Sequence, residues 1–173
     1  FHKTGTTSLG KALEILGYKV CGPVGTKDPN IESKLFEIAF SYSDQFDAFQ
    51  DNPWAIIFRE LDRKYSRSKF ILTLRDMDKW ITSVVNYFGT ENTPMRKLIY
   101  GIGHPKGNEE VYIKRHRTHI KDVRKYFKKR PDDILELRLC EGEGWHKLCP
   151  FLNKPIPKIE FPHENKGRHH NEK

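Results

Sequence analysis

The stretch Lys3-Thr4-Gly5-Thr6-Thr7-Ser8 runs straight into Leu9, Ala12, Leu13 and Leu16, with Gly17 behind them. The four apolar residues share one face of a helix over Thr6 to Gly17, and Gly17 is its stop. A turn with one glycine, one lysine and four hydroxyls therefore opens directly into a helix. A helix N-terminus presents unpaired N–H groups and a partial positive charge, which suits an anion. Gly5 lets the backbone come close to it. The hydroxyls of Thr4, Thr6, Thr7 and Ser8 can donate to anion oxygens, and Lys3 adds a full charge. Serine and threonine are also ordinary helix caps, but one cap does not need four hydroxyls and a lysine. A Walker A loop is excluded, because that pattern places Lys after its last glycine, beside the Mg²⁺-binding hydroxyl. Here Lys3 precedes Gly5.

Outward from the loop, apolar patterning alternates between two periods. Short strand candidates are Tyr18 to Cys21, closed by Gly22-Pro23, and Phe46 to Gln50. Lys69 to Leu74 (KFILTL) reads as a buried strand, and Ile134 to Leu139 (ILELRL) as another. Helical spacing marks Ile31 to Phe40, Met77 to Phe88 and Gly144 to Leu152, and Pro53 can open a helix reaching Tyr65. Residues 89–107 read as irregular or partly helical. Strands alternating with helices imply an α/β fold, a parallel sheet covered on both faces. Ligands in such folds bind at the carboxyl ends of the strands. Arg75 stands there, directly after KFILTL, with Ser83 eight residues on. An arginine so placed can fork two hydrogen bonds to a phosphate, and an ion pair with Asp76 or Asp78 is an equal reading.

The chain has 173 residues and a net charge of +8. The excess is local: Ile113 to Arg130 carries nine Lys/Arg against Asp122 alone. Ile113, Ile120, Val123 and Phe127 give this segment one apolar helical face. It reads as a solvated helix or as a surface for a polyanion. With no zinc finger, RNP motif or clear helix-turn-helix, nucleic acid is an unfavoured partner. No apolar run approaches the roughly 18 residues of a membrane span. Cys21, Cys140 and Cys149 are too few and too scattered for a disulfide framework or a metal site, so no metal is expected and a reducing, cytoplasmic setting is the default. The chain opens on Phe1, so the lack of a visible signal peptide decides nothing.

The order His2-Lys3-Thr4-Gly5-Thr6-Thr7 resembles the phosphosulfate-binding loop of sulfotransferases, whose donor is PAPS (3′-phosphoadenosine 5′-phosphosulfate). It is more similar to the Golgi-type and bacterial branches than to the cytosolic aryl branch, which carries Trp where this chain has Ser8. LTLRDMDKWITS resembles the family segment that binds the donor's 3′-phosphate, which implies that Arg75 and Ser83 hold it. Trp80 in that segment reads as packing. Lys166-Gly167-Arg168 is similar to the loop that covers the donor in the heparan sulfate branch, and reads equally as a basic tail. The resemblance implies one sulfotransferase-like domain over 1–173, with a three-layer P-loop-like fold whose central parallel sheet is flanked by helices. The family's first strand precedes the loop. Only Phe1-His2 do so here, so the sequence lacks that strand, and a few residues missing ahead of Phe1 are the expected reason.

The implied reaction moves a sulfuryl group from PAPS to a hydroxyl or amine, leaving PAP, without a metal. Lys3 is the expected stabiliser of the leaving oxygen, helped by the Gly5 and Thr6 N–H groups. The acceptor needs a general base. Asp51, after the strand candidate Phe46 to Gln50, is the first choice, and it could equally cap a helix beginning at Pro53. Asp47 and His104 are weaker choices. The acceptor class is open, acidic or carbohydrate acceptors being compatible with the basic helix, and residues 89–107, with Tyr100 and His104, are expected to shape its pocket. The alternative is an inactive nucleotide- or polyanion-binding module of the same fold.

Overall fold

The apolar run after Lys69 forms strand β3, Phe70–Thr73, which pairs in parallel with β4, Ile134–Leu137, in the register Phe70↔Ile134 to Thr73↔Leu137. Leu74 N–H continues the ladder to the Leu137 carbonyl at 2.9 Å. A second parallel pair joins β1, Val20–Cys21, to β2, Ala48–Phe49. The computed structural model describes residues 1–164, so Lys166, Gly167 and Arg168 lie outside the described residues.

Helices cover both faces. On one side α1, Thr6–Ile15, and α7, Trp145–Phe151, bury Leu9, Ala12, Leu13, Trp145 and Leu148 against Leu137. On the other, α3, Phe58–Lys64, and α6, Glu109–Phe127, bury Phe58, Val123 and Phe127 against Leu72 and Leu74. Burial of this kind, near 25 cal/mol per Å² of apolar surface, is the main term holding the layers together. A further cluster joins α4, Met77–Phe88, and α5, Pro94–Tyr100, to α6 through Trp80, Val84, Ile99 and Tyr112, with Phe1 among them. Helix α2, Ile31–Ser43, packs on α5 and buries Ala39 beside Cys21 and Trp54.

The class is the expected one: α/β, parallel, with helices on both faces. The single central sheet is instead present as two halves, each of two strands. Between them lies a cavity of about 750 Å³. Its walls are Phe49, Gln50 and Asp51 on one side and Phe70, Ile71, Leu72 and Thr73 on the other, with Leu9 and Val123 above and below. No strand among the described residues bridges that gap.

One local expectation needs correction. The helix expected from Pro53 begins only at Phe58, and residues 51–57 form turns. Residues 89–107 are partly helical, as read: they contain α5, capped by the Thr93 hydroxyl on Arg96 N–H at 3.3 Å and ended by Gly101 at φ 78°.

Candidate active site

The loop at the head of α1 is held from beneath. The Thr4 hydroxyl donates to the Phe1 carbonyl at 2.6 Å and lies 2.6 Å from the Thr73 hydroxyl at the end of β3. Thr4 is fully buried, so its hydroxyl proton serves the loop's own fold and not a ligand. Gly5 caps α1 at φ 94°, and a Cβ there would press on Leu139 at 3.1 Å. Both facts require glycine. No side chain caps α1, and the first turn of a helix is a place where backbone N–H groups can meet an anion. Thr6 donates to Asp51, and Ser8 Oγ accepts from Glu164 N–H at 3.0 Å.

Arg75 leaves the end of β3 and turns to the loop. Its Nη1 donates to the Lys3 carbonyl at 2.9 Å. Its Nε is buried with no partner. A buried donor without an acceptor is costly, and an anion held at the loop would supply one. Neither Asp76 nor Asp78 takes Arg75. Asp76 instead caps α4 by accepting from Lys79 N–H at 3.0 Å. Ser83 lies half-buried on α4, one turn before Tyr87. Lys3 Nζ sits 3.8 Å from the Tyr87 ring centre, so this face of α4 looks onto the loop. Burial, with the neighbouring Arg75 charge, pulls the Lys3 ammonium below its ordinary pKa, and Asp51 opposes the shift. Trp80 is fully buried, as a packing residue should be, and donates Nε1–H to the His2 carbonyl at 3.0 Å.

Asp51 stands just past β2 in a left-handed conformation, φ 70°. Its Oδ2 accepts from Thr6 Oγ1 at 3.1 Å. The side chain thus points at the head of α1. Burial raises its pKa, against the Thr6 and Asn52 hydrogen bonds and the Lys3 charge. A carboxylate raised in this way, beside an anion site, is suited to take a proton. Asp47 lies at the other end of β2, where it accepts from Lys19 N–H at 2.8 Å and braces the strand pair. His104 lies in the loop after α5, its carbonyl taken by Asn108 Nδ2 at 3.3 Å.

The structure therefore brings Lys3, Gly5, Thr6, Ser8, Arg75 and Asp51 to one place, with α4 alongside. Tyr100 is not an exposed pocket residue: it is buried, stacked on Tyr112 at 3.7 Å and bonded to His2 at 3.0 Å. The parts that sequence reasoning missed are Tyr87 and the His2 ring. His2 had one signal, its place next to Lys3. Among the described residues no cluster of His, Cys, Asp and Glu could hold a metal ion, and no helix is long and apolar enough to cross a membrane.

Comparison with known proteins supports the fold. The family model for the sulfotransferase domain matches residues 1–106 and 92–170, which include both the loop and the Arg75 segment. The chain belongs to this sulfotransferase family. It is also similar to Ava biosynthesis cluster protein M of Aspergillus versicolor, 27% identical over 144 residues. That alignment covers 69% of this chain and 54% of the fungal protein, so the chain spans about half the length of that relative.

Proposed function

We propose that the chain transfers a sulfuryl group from PAPS to a hydroxyl or amine acceptor. The observation that carries this reading is the convergence of Lys3, Arg75 and Asp51 on the uncapped head of α1. The donor's 5′-phosphosulfate suits the first-turn N–H groups and Lys3. Its 3′-phosphate suits Arg75, whose Nε lacks an acceptor, and Ser83 on α4. Lys166, Gly167 and Arg168, outside the described residues, have the composition of a donor-covering segment and follow in sequence after Glu164, which is tied to Ser8.

In the transfer, the acceptor oxygen or nitrogen bonds to sulfur as the bond from sulfur to the bridging phosphate oxygen breaks. Asp51 takes the acceptor proton. Lys3 and the α1 N–H groups neutralise the charge that grows on the leaving oxygen. PAP and the sulfated acceptor are the products. Holding the partners in line accounts for much of the rate, as in phosphoryl transfer.

Calorimetric titration with PAP, with ATP and ADP as controls, tests the donor site. Selective micromolar binding of PAP is expected. Preference for ATP, or binding of neither nucleotide, would overturn the assignment.

A further inference from the structure

The His2 ring takes no part in the steps above, yet it is buried at the centre of the site's framework. Both of its nitrogens are bonded. Nδ1 lies 3.1 Å from Asn52 Nδ2, and Nε2 lies 3.0 Å from the Tyr100 hydroxyl. With the Asn52 amide nitrogen on Nδ1, that ring nitrogen accepts and Nε2–H donates to Tyr100; turning the amide over reverses both roles and keeps both contacts. The His2 carbonyl holds Trp80 Nε1 at 3.0 Å. The ring lies parallel to Trp80, whose own ring stacks on His116 at 4.1 Å, and stands edge-on to Phe88 at 5.0 Å. One residue thus links the loop to the turn after β2, to α4 and to α5.

Its neighbours make this placement meaningful. Lys3 and Asp51 are both non-glycine residues in the left-handed region, at φ 62° and 70°. Such conformations persist only where the surroundings over-determine them. Lys3 directly follows His2, and Asp51 directly precedes Asn52. The His2–Asn52 bond therefore joins the chain neighbours of both strained residues.

We propose that His2 is a positioning residue, whose ring, bonded to Asn52 and Tyr100, holds Lys3 and Asp51 in their left-handed conformations and in register with each other. This rests on the roles given above to Lys3 and Asp51. Burial first, then the nearby Arg96 and Lys3 charges, pulls the ring's pKa well below its ordinary value and keeps it neutral. It is therefore a fixed strut and not a proton donor to substrate.

The test compares His2→Ala, His2→Asn and Tyr100→Phe with Val84→Ala, which opens the same core without touching a polar contact. Each is assayed for thermal midpoint, PAP affinity and hydrogen exchange at the backbone amides of residues 3–5 and 51–52. His2→Ala should speed exchange at both turns about tenfold or more and weaken PAP by a similar factor. Val84→Ala should leave both within about threefold at a comparable midpoint. His2→Asn, which keeps one bonding group, should recover part of the loss. Tyr100→Phe, which keeps the ring and the Asn52 bond, should show a smaller loss. If His2→Ala and Val84→Ala change exchange and affinity in step with their midpoints, His2 is only a core residue and the proposal falls. If the wild type binds no PAP but His2→Ala still frees both turns selectively, the strut stands and the sulfotransferase reading fails.

Discussion

At Asp51, stability and chemistry pull in opposite directions. Burial raises this acid above its unfolded pKa. A raised group contributes stability that is fully present below the unfolded pKa and is lost as pH rises through the folded value. At neutral pH the ionised side chain is a net cost. Asp51→Asn should therefore raise the thermal midpoint at pH 7, by about 2–4 °C for each kcal/mol relieved in a chain of this size. The gain should vanish as pH falls toward about 4, the ordinary range of aspartate, and thermal melts across pH will show it. The same variant should lose about 10²–10⁴ in turnover if Asp51 is the base. A variant that is more stable and still fully active would remove Asp51 from the chemistry. Lys3→Ala should lower turnover more than it weakens PAP binding, because its charge matters most in the transition state. A rise in KM alone would contradict that role. Lys3, Arg75 and Asp51 were legible because each sits at an element's end, where local sequence reveals the address. The committed hydroxyl of Thr4 was not, because its partner Thr73 is 69 positions away.

Among the elements, α6 shows how a charged helix divides its work. Tyr112, His116, His119, Val123 and Phe127 form its buried row. Arg115 donates to the Ile99 carbonyl at 3.1 Å, and Arg124 forks onto Glu136 at 2.6 and 2.8 Å. Just beyond the helix, Arg130 reaches Asp62 on α3 at 2.6 Å, with Tyr126 on the same carboxylate at 2.7 Å. The Asp62 side chain is only 8% exposed. Arg130, aided by Tyr126, holds the Asp62 pKa below its ordinary value. A depressed acid contributes stability above its unfolded pKa and loses it as pH falls through the folded value. Asp62→Ala should thus cost about 1–2 kcal/mol at pH 7, since Arg130 can regain water. In urea titrations the difference should shrink below about pH 4. Equal loss at both pH values would mean packing, not charge, is responsible. Met77–Phe88 was read to the residue because its apolar spacing is strict and Asp76 caps it. The helix expected at Pro53 was misplaced because that proline lies in the turn that carries Asp51. Helix α5 was read only as a partly helical stretch among glycines, without bounds, although Thr93-Pro94 is a recognisable start.

For the molecule as a whole, which strand pairs with which is the feature that sequence could least specify. Pairing depends on which edges meet, and four short apolar runs do not reveal that. The direction of pairing was legible, from the alternation of strands and helices. The cavity between the halves lies at the head of the loop, with Phe1 in its wall. A different practical consequence follows from the Glu164–Ser8 bond. It ties the far end of the described chain to the head of α1, which makes that end an optical gauge of the loop. Cys21 and Cys149 are buried and Cys140 is exposed. A dye on His163→Cys, with Cys140→Ser, would therefore sense nucleotide arrival without touching a residue assigned to the chemistry.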